Sequence, residues 1–151
     1  LETLEQRDAE RVTITATDLD SSVVTHGQRG IYAVDRLSGL SHDMKKRYFM
    51  KGSGRNAGKA RVKEPLARMV RFDTLNLLDD WPFDERFQIV FCRNTVIYFS
   101  KELQAELFER LHRYTAPGAW LYIGHSESLW KVTERFLSQG RTIYRRVDGR
   151  T

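Results

Sequence analysis

Apolar positions along this 151-residue chain follow two different periods. Val12 to Thr17 (VTITAT) is a β-branched run that stops at Asp18, which predicts a buried strand, and a short helix is expected from Ser21 or Ser22. Further strands are predicted at 69–72 (MVRF), 87–92 (FQIVFC), 119–124 (AWLYIG) and 141–147 (RTIYRRV). Between two of them Leu103, Leu107, Phe108, Leu111 and Tyr114 recur on one face of a helix over 101–114, with Glu102, Glu106, Glu109 and Arg110 pointing away. Ser100 reads as its N-cap and Pro117-Gly118 as its stop. Residues 1–11 read as the end of a helix. Strands alternating with helices imply an α/β fold with a mostly parallel sheet.

From Gly27 to about Glu64 the texture changes. Most of the glycines fall here, FMKGSGRNAGKARVK looks like a hairpin, and a short helix is expected around His42 to Tyr48. The segment reads as a β-subdomain inserted at 29–66, with 1–28 and 67–151 forming the two parts of the main domain.

Composition narrows the class. Hydrophobic content of 40% and charged content of 30% suit a globular domain. No apolar run approaches the roughly 20 residues needed to cross a bilayer, and the charged start LETLEQRDAERVT does not read as a signal peptide, so a cytoplasmic location is expected. The single Cys92 lies in an apolar run and reads as a small core residue. Net charge is +5, but basic residues are dispersed among acids, which gives nucleic-acid binding little support.

Several motifs carry chemistry or imitate it. GSGRNAGKA at 52–60 lacks the Ser or Thr after Gly-Lys that a P-loop requires, and its glycines miss the dinucleotide spacing, so a hairpin loop is the better reading. Four histidines, at 26, 42, 112 and 125, show no metal-ligand spacing. Ser126 in GHSES lacks the G-x-S-x-G elbow of a hydrolase. Asp18, at a strand's carboxyl end, suits ribose hydroxyls as well as it suits a turn, and Asp20 or Ser21 can cap the next helix. Asn76 in LNLLDDWP follows another strand, where its amide can read an adenine edge or simply make a turn. Arg93-Asn94 interrupts QIVFCRNTVIYFS at 88–100; a charge there lines a cleft or makes an ion pair. Together the three strand tips favour a nucleotide-like ligand.

FQIVFCRNTVIYF, LYIGHSESL and RFLSQGRTIYRR, preceded by TATDLD and NLLDDWP, closely resemble the chemotaxis receptor methyltransferase (CheR) family. The resemblance implies a Rossmann-like methyltransferase fold, S-adenosylmethionine as cofactor and receptor glutamates as methyl acceptors. It implies that Asp18 holds the ribose, that Asn76 and Leu77 approach the adenine, and that Arg93 and Asn94 lie against the methionine moiety, with Tyr98 bordering the reacting centre. Arg93 and Tyr98 are thus the catalytic candidates. The subdomain resembles one that in some relatives docks a receptor tail peptide. Thr95 replaces a usual aliphatic residue and Ser100 a usual Asp. The family's N-terminal helical domain and its Gly-rich first motif have no counterpart in the 151 residues. The family sheet runs 3-2-1-4-5-7-6, so without its central strand the gap is expected to close by direct pairing, by strand exchange in a homodimer, or by upstream sequence. The rival reading is a noncatalytic protein-binding module derived from the same fold.

Overall fold

The computed structural model describes residues 11–148. Residues 1–10 of the expected leading helix lie outside them. The described chain forms two compact units that meet at Asp79 and Asp80.

In the first unit β1 (Ile14–Asp18) runs parallel to β5 (Val70–Thr74), in a register from Ile14 opposite Val70 to Asp18 opposite Thr74. Helix α1 (Ser21–Arg29) follows β1 because Asp20 caps it, its Oδ1 accepting the Ser22 N–H at 2.7 Å. Hydrogen bonding from the Ser22 side chain first, and then from its backbone N–H, holds the Asp20 carboxyl below its ordinary range. Gly30, with φ of 60°, ends the helix in the left-handed conformation that glycine adopts without strain. Gly27 brings α1 close to β5, since a Cβ there would meet the Phe72 ring at 2.5 Å.

The middle of this unit is an antiparallel sheet in the order β2 (Ile31–Ala33), β4 (Lys59–Val62), β3 (Phe49–Lys51). Helix α2 (His42–Tyr48) leads into β3, and α3 (Glu64–Ala67) follows β4. GSGRNAGKA is therefore a hairpin connection. Cross-strand partners share a face, so Ile31, Arg61 and Met50 form one row, all exposed, while Tyr32 and the buried Ala60 lie on the opposite face.

In the second unit the order is β6 (Phe87–Cys92), β7 (Thr115–Ile123), β9 (Ile143–Arg146), β8 (Phe136–Ser138), with β6 parallel to β7 and the other pairs antiparallel. Helix α4 (Lys101–Tyr114) crosses between β6 and β7, capped by Ser100, whose Oγ accepts the Leu103 N–H at 3.3 Å. Its buried Leu107, Phe108 and Leu111 join Leu121 and Ile123 of β7 in the core. Each such side chain stabilises the fold by roughly 1.5–3 kcal/mol.

The strands β5-β1 and β6-β7-β9-β8 reproduce the order 3-2 and 4-5-7-6 of the Rossmann-like methyltransferase sheet. Direct pairing of β1 with β6, one of the three expected outcomes, does not occur among the described residues. Pro117-Gly118 does not stop the helix, which ends at Tyr114. Both residues lie inside β7, where the register jumps from Phe87 opposite Thr115 to Ile89 opposite Trp120. A proline without an N–H and a glycine with φ of 69° suit such an irregularity. The sequence pattern did not disclose β8, which is too short to show a period.

Candidate functional site

The site candidates fall at the carboxyl ends of parallel strands. In the first unit, Asp18 is the last residue of β1 and is exposed; its Oδ1 accepts the Asp20 N–H at 2.9 Å. The Leu75 N–H bonds to the Asp18 carbonyl at 2.9 Å, carrying the β1-β5 ladder to its end. Asn76 follows one residue later, half-buried, with Oδ1 accepting the Leu78 N–H at 3.1 Å. This is the Asx turn that the sequence allowed, and Leu77 lies half-buried within it. The fold thus brings Asp18 and Asn76–Leu77 to one end of one sheet.

In the second unit, Arg93 and Asn94 follow β6 and are both exposed, and Arg93 makes no ion pair among the described residues. Asn94 has φ of 58°, which asparagine tolerates better than most side chains. A 3-10 turn, Val96–Tyr98, comes next and leaves Tyr98 84% exposed while Val96 is buried.

Two buried polar side chains hold this turn, and neither stands out in the sequence. Glu127, from the loop after β7, accepts the Asn94 N–H at 3.1 Å and the Thr95 and Val96 N–H groups at 2.9 Å each, and also bonds the Gly124 N–H. Gln104 of α4 donates Nε2 to the carbonyls of Val96 and Phe99 at 2.9 and 3.0 Å. GHSES drew attention through its serine, whereas Ser126 and His125 are exposed and Glu127 is buried. The available signal was a carboxylate between the apolar LYIG and the buried Leu129. Cys92, buried before the turn, has its thiol pushed up to about 12, first by burial and then by the Glu127 charge, against a Thr95 hydrogen bond that lowers it.

Residues 1–145 match the family model described as CheR methyltransferase, SAM binding domain. The chain belongs to this family. Chemotaxis protein methyltransferase 2 of Pseudomonas aeruginosa is 40% identical over 134 residues, covering 88% of this chain and 48% of that protein. The chemotaxis protein methyltransferase of Escherichia coli K12 is 36% identical over 132 residues, 87% of this chain and 46% of the relative. That of Borreliella burgdorferi is 38% identical over 120 residues, 79% and 41% respectively. The chain spans about half the length of the curated relatives it matches.

The donor set fits the family's S-adenosylmethionine. A carboxylate at the end of β1 has the acceptors that a ribose diol requires, and the carboxamide following β5 carries both the donor and the acceptor that a purine edge requires. The Arg93 guanidinium and the Asn94 amide carry donors of the kind a carboxylate accepts. Among the described residues no group of His, Cys, Asp and Glu is arranged to hold a metal, and no helix is long and apolar enough to cross a membrane.

Proposed function

We propose that the chain is the cofactor-binding part of a cytoplasmic S-adenosylmethionine-dependent methyltransferase that esterifies glutamate side chains of chemoreceptors. The supporting observation is the set of polar side chains at the carboxyl ends of β1, β5 and β6 in a chain of this family, the place where open parallel sheets gather ligands. When bound, S-adenosylmethionine supplies an activated methyl group. The acceptor carboxylate is already ionised near pH 7, so the chain needs no strong general base. Catalysis falls to alignment and electrostatic preorganisation. Asp18 holds the ribose hydroxyls, Asn76 and Leu77 bracket the adenine, Arg93 and Asn94 fix the amino-acid tail, and Tyr98 on its exposed 3-10 turn orients the incoming glutamate.

The receptor tail peptide is assigned to the β-subdomain. Its outer face presents Ile31 and Met50 at 38% and 48% exposure, with Arg61 between them, a pattern suited to a peptide with acidic and apolar side chains. The β1 and β6 edges support strand exchange with a second copy, because open edges recruit strands; a monomeric mass at high concentration in sedimentation equilibrium removes that element.

Asn94→Gly in the full-length gene product tests the central assignment, since glycine keeps a φ of 58° without strain and deletes only the carboxamide. The expected result is an affinity for S-adenosylhomocysteine lower by about tenfold or more, the scale of one lost hydrogen bond to a charged group. Unchanged affinity and turnover reject the assignment.

A further inference from the structure

We infer that Glu127 is a positioning residue, fixing the Arg93–Val96 turn in the one conformation that presents Arg93 and Asn94 to the cofactor. The inference rests on the reading of that turn as cofactor-facing. It starts from a carboxylate that the fold buries to 8% exposure and that pairs with no cation among the described residues, an arrangement that is costly unless other donors compensate. Four backbone N–H groups do so. Oε1 accepts Thr95 and Val96, and Oε2 accepts Asn94 and Gly124. Two acceptances per oxygen meet most of the capacity of an ionised carboxylate, and bonds to a charged acceptor are stronger than neutral ones.

The geometry makes the clamp specific to this turn. Three consecutive N–H groups converge on one side chain only because Asn94 turns left-handed, so the carboxylate stabilises a backbone conformation that a non-glycine residue otherwise avoids. From α4, Gln104 engages the carbonyl side of the same segment at Val96 and Phe99. The seat is completed by Gly124. A Cβ there would lie 2.5 Å from Asn94 Oδ1, 2.7 Å from Glu127 Oε2 and 2.9 Å from Asn94 N, so the position after β7 has to be bare for the turn and its clamp to close against it. The Glu127 bonds span 31 to 33 positions, Gly124 follows β7 and Gln104 belongs to the crossover helix, which places the conformation of Arg93 and Asn94 under the control of β7 and α4 rather than of the turn's own sequence.

Glu127→Gln is the direct test in the full-length gene product. It keeps the shape but turns an NH2 group toward backbone N–H donors. Hydrogen exchange of the Asn94, Thr95 and Val96 amides reads the clamp without any ligand, and calorimetric titration with S-adenosylhomocysteine reads its consequence. A second variant, Leu37→Ala, loses a buried side chain of the first unit and leaves the unit that holds the turn unaltered, and both are compared well below their melting temperatures. We expect Glu127→Gln to lose protection at those amides and about tenfold or more in affinity, with Leu37→Ala staying within about twofold of the parent. Affinity within about twofold for folded Glu127→Gln, or unprotected amides in the parent, overturns the inference. Should Glu127→Gln not fold, Gly124→Ala displaces Asn94 from the other side; it is expected to lower affinity about tenfold, and retained affinity overturns the inference equally. Asn94→Gly separates the two failures: if it binds normally while the amides are protected, the cofactor-facing reading falls and takes with it the inference that depends on it, whereas normal affinity in Glu127→Gln alone rejects only the clamp.

Discussion

The strand tips of the two units are held in opposite ways. In the first unit Asp18 and Asn76 are fixed by bonds to amides two residues ahead, at Asp20 and Leu78. In the second, the Arg93–Val96 turn is fixed from Glu127 and Gln104, which belong to other elements. The cores differ in parallel. The largest fully buried side chains, Phe108, Leu121, Ile123, Val96 and Thr115, all belong to the second unit, whereas the first buries Val24, Leu37, Ala60 and Leu75 and leaves Ile14 of β1 42% exposed. A locally braced tip needs little core behind it. A clamp reaching across the sequence requires β6, β7 and α4 to be packed first.

Substitutions in the two cores give the largest expected effect. Phe108→Ala should cost about 3–5 kcal/mol in urea unfolding, because the ring is fully buried. Val24→Ala in the first unit should cost roughly 1–2 kcal/mol, the worth of about two buried methyl groups. Equal losses would erase the contrast between the cores. At the tips, Gln104→Ala removes its two bonds to the turn and the one it accepts from Lys101, leaving the Val96 carbonyl with the Phe99 N–H alone, for an expected loss of about 1–3 kcal/mol. Asn76→Ala removes one bond at the surface and should cost less than about 1 kcal/mol. The reverse ranking would show that the local braces are the stronger ones.

At neutral pH the smallest effect is that of a pH dependence confined to the second unit. The Cys92 thiol ionises near 9 in the unfolded chain and at about 12 when folded, so its burial favours the native state fully below pH 9. That contribution is lost progressively as the pH rises from about 9 toward 12. Replacing Cys92 with Ala should flatten stability against pH in this window, and the native thiol should react slowly with alkylating reagents at pH 8. Rapid labelling of the folded protein would show that the segment before the turn opens readily.

What the sequence disclosed follows the same division. The helix over 101–114 and the strand over 87–92 were legible to the residue, because Ser100 and an apolar period mark the first and an apolar run the second, and a short helix was expected around His42 to Tyr48. The turn at Asn76 and the cap at Asp20 were legible for the same reason, since each bond closes within two residues. Glu127 was not, because its partners are set by strand order rather than by neighbours in sequence. Pro117-Gly118 misled as a helix stop, since the register of β7 against β6 outweighs the local preference of the pair. In β8, three residues with one buried side chain leave no alternation to detect.

The burial of Glu127 has a bearing on self-protection. The chain carries twenty Asp and Glu side chains, and under the proposed function, esterification of carboxylates, one of them is bonded to the turn proposed to face the methyl donor. With both oxygens committed to amide hydrogens, that side chain has no free nucleophilic face to offer, so the proposed reaction would leave it unmethylated.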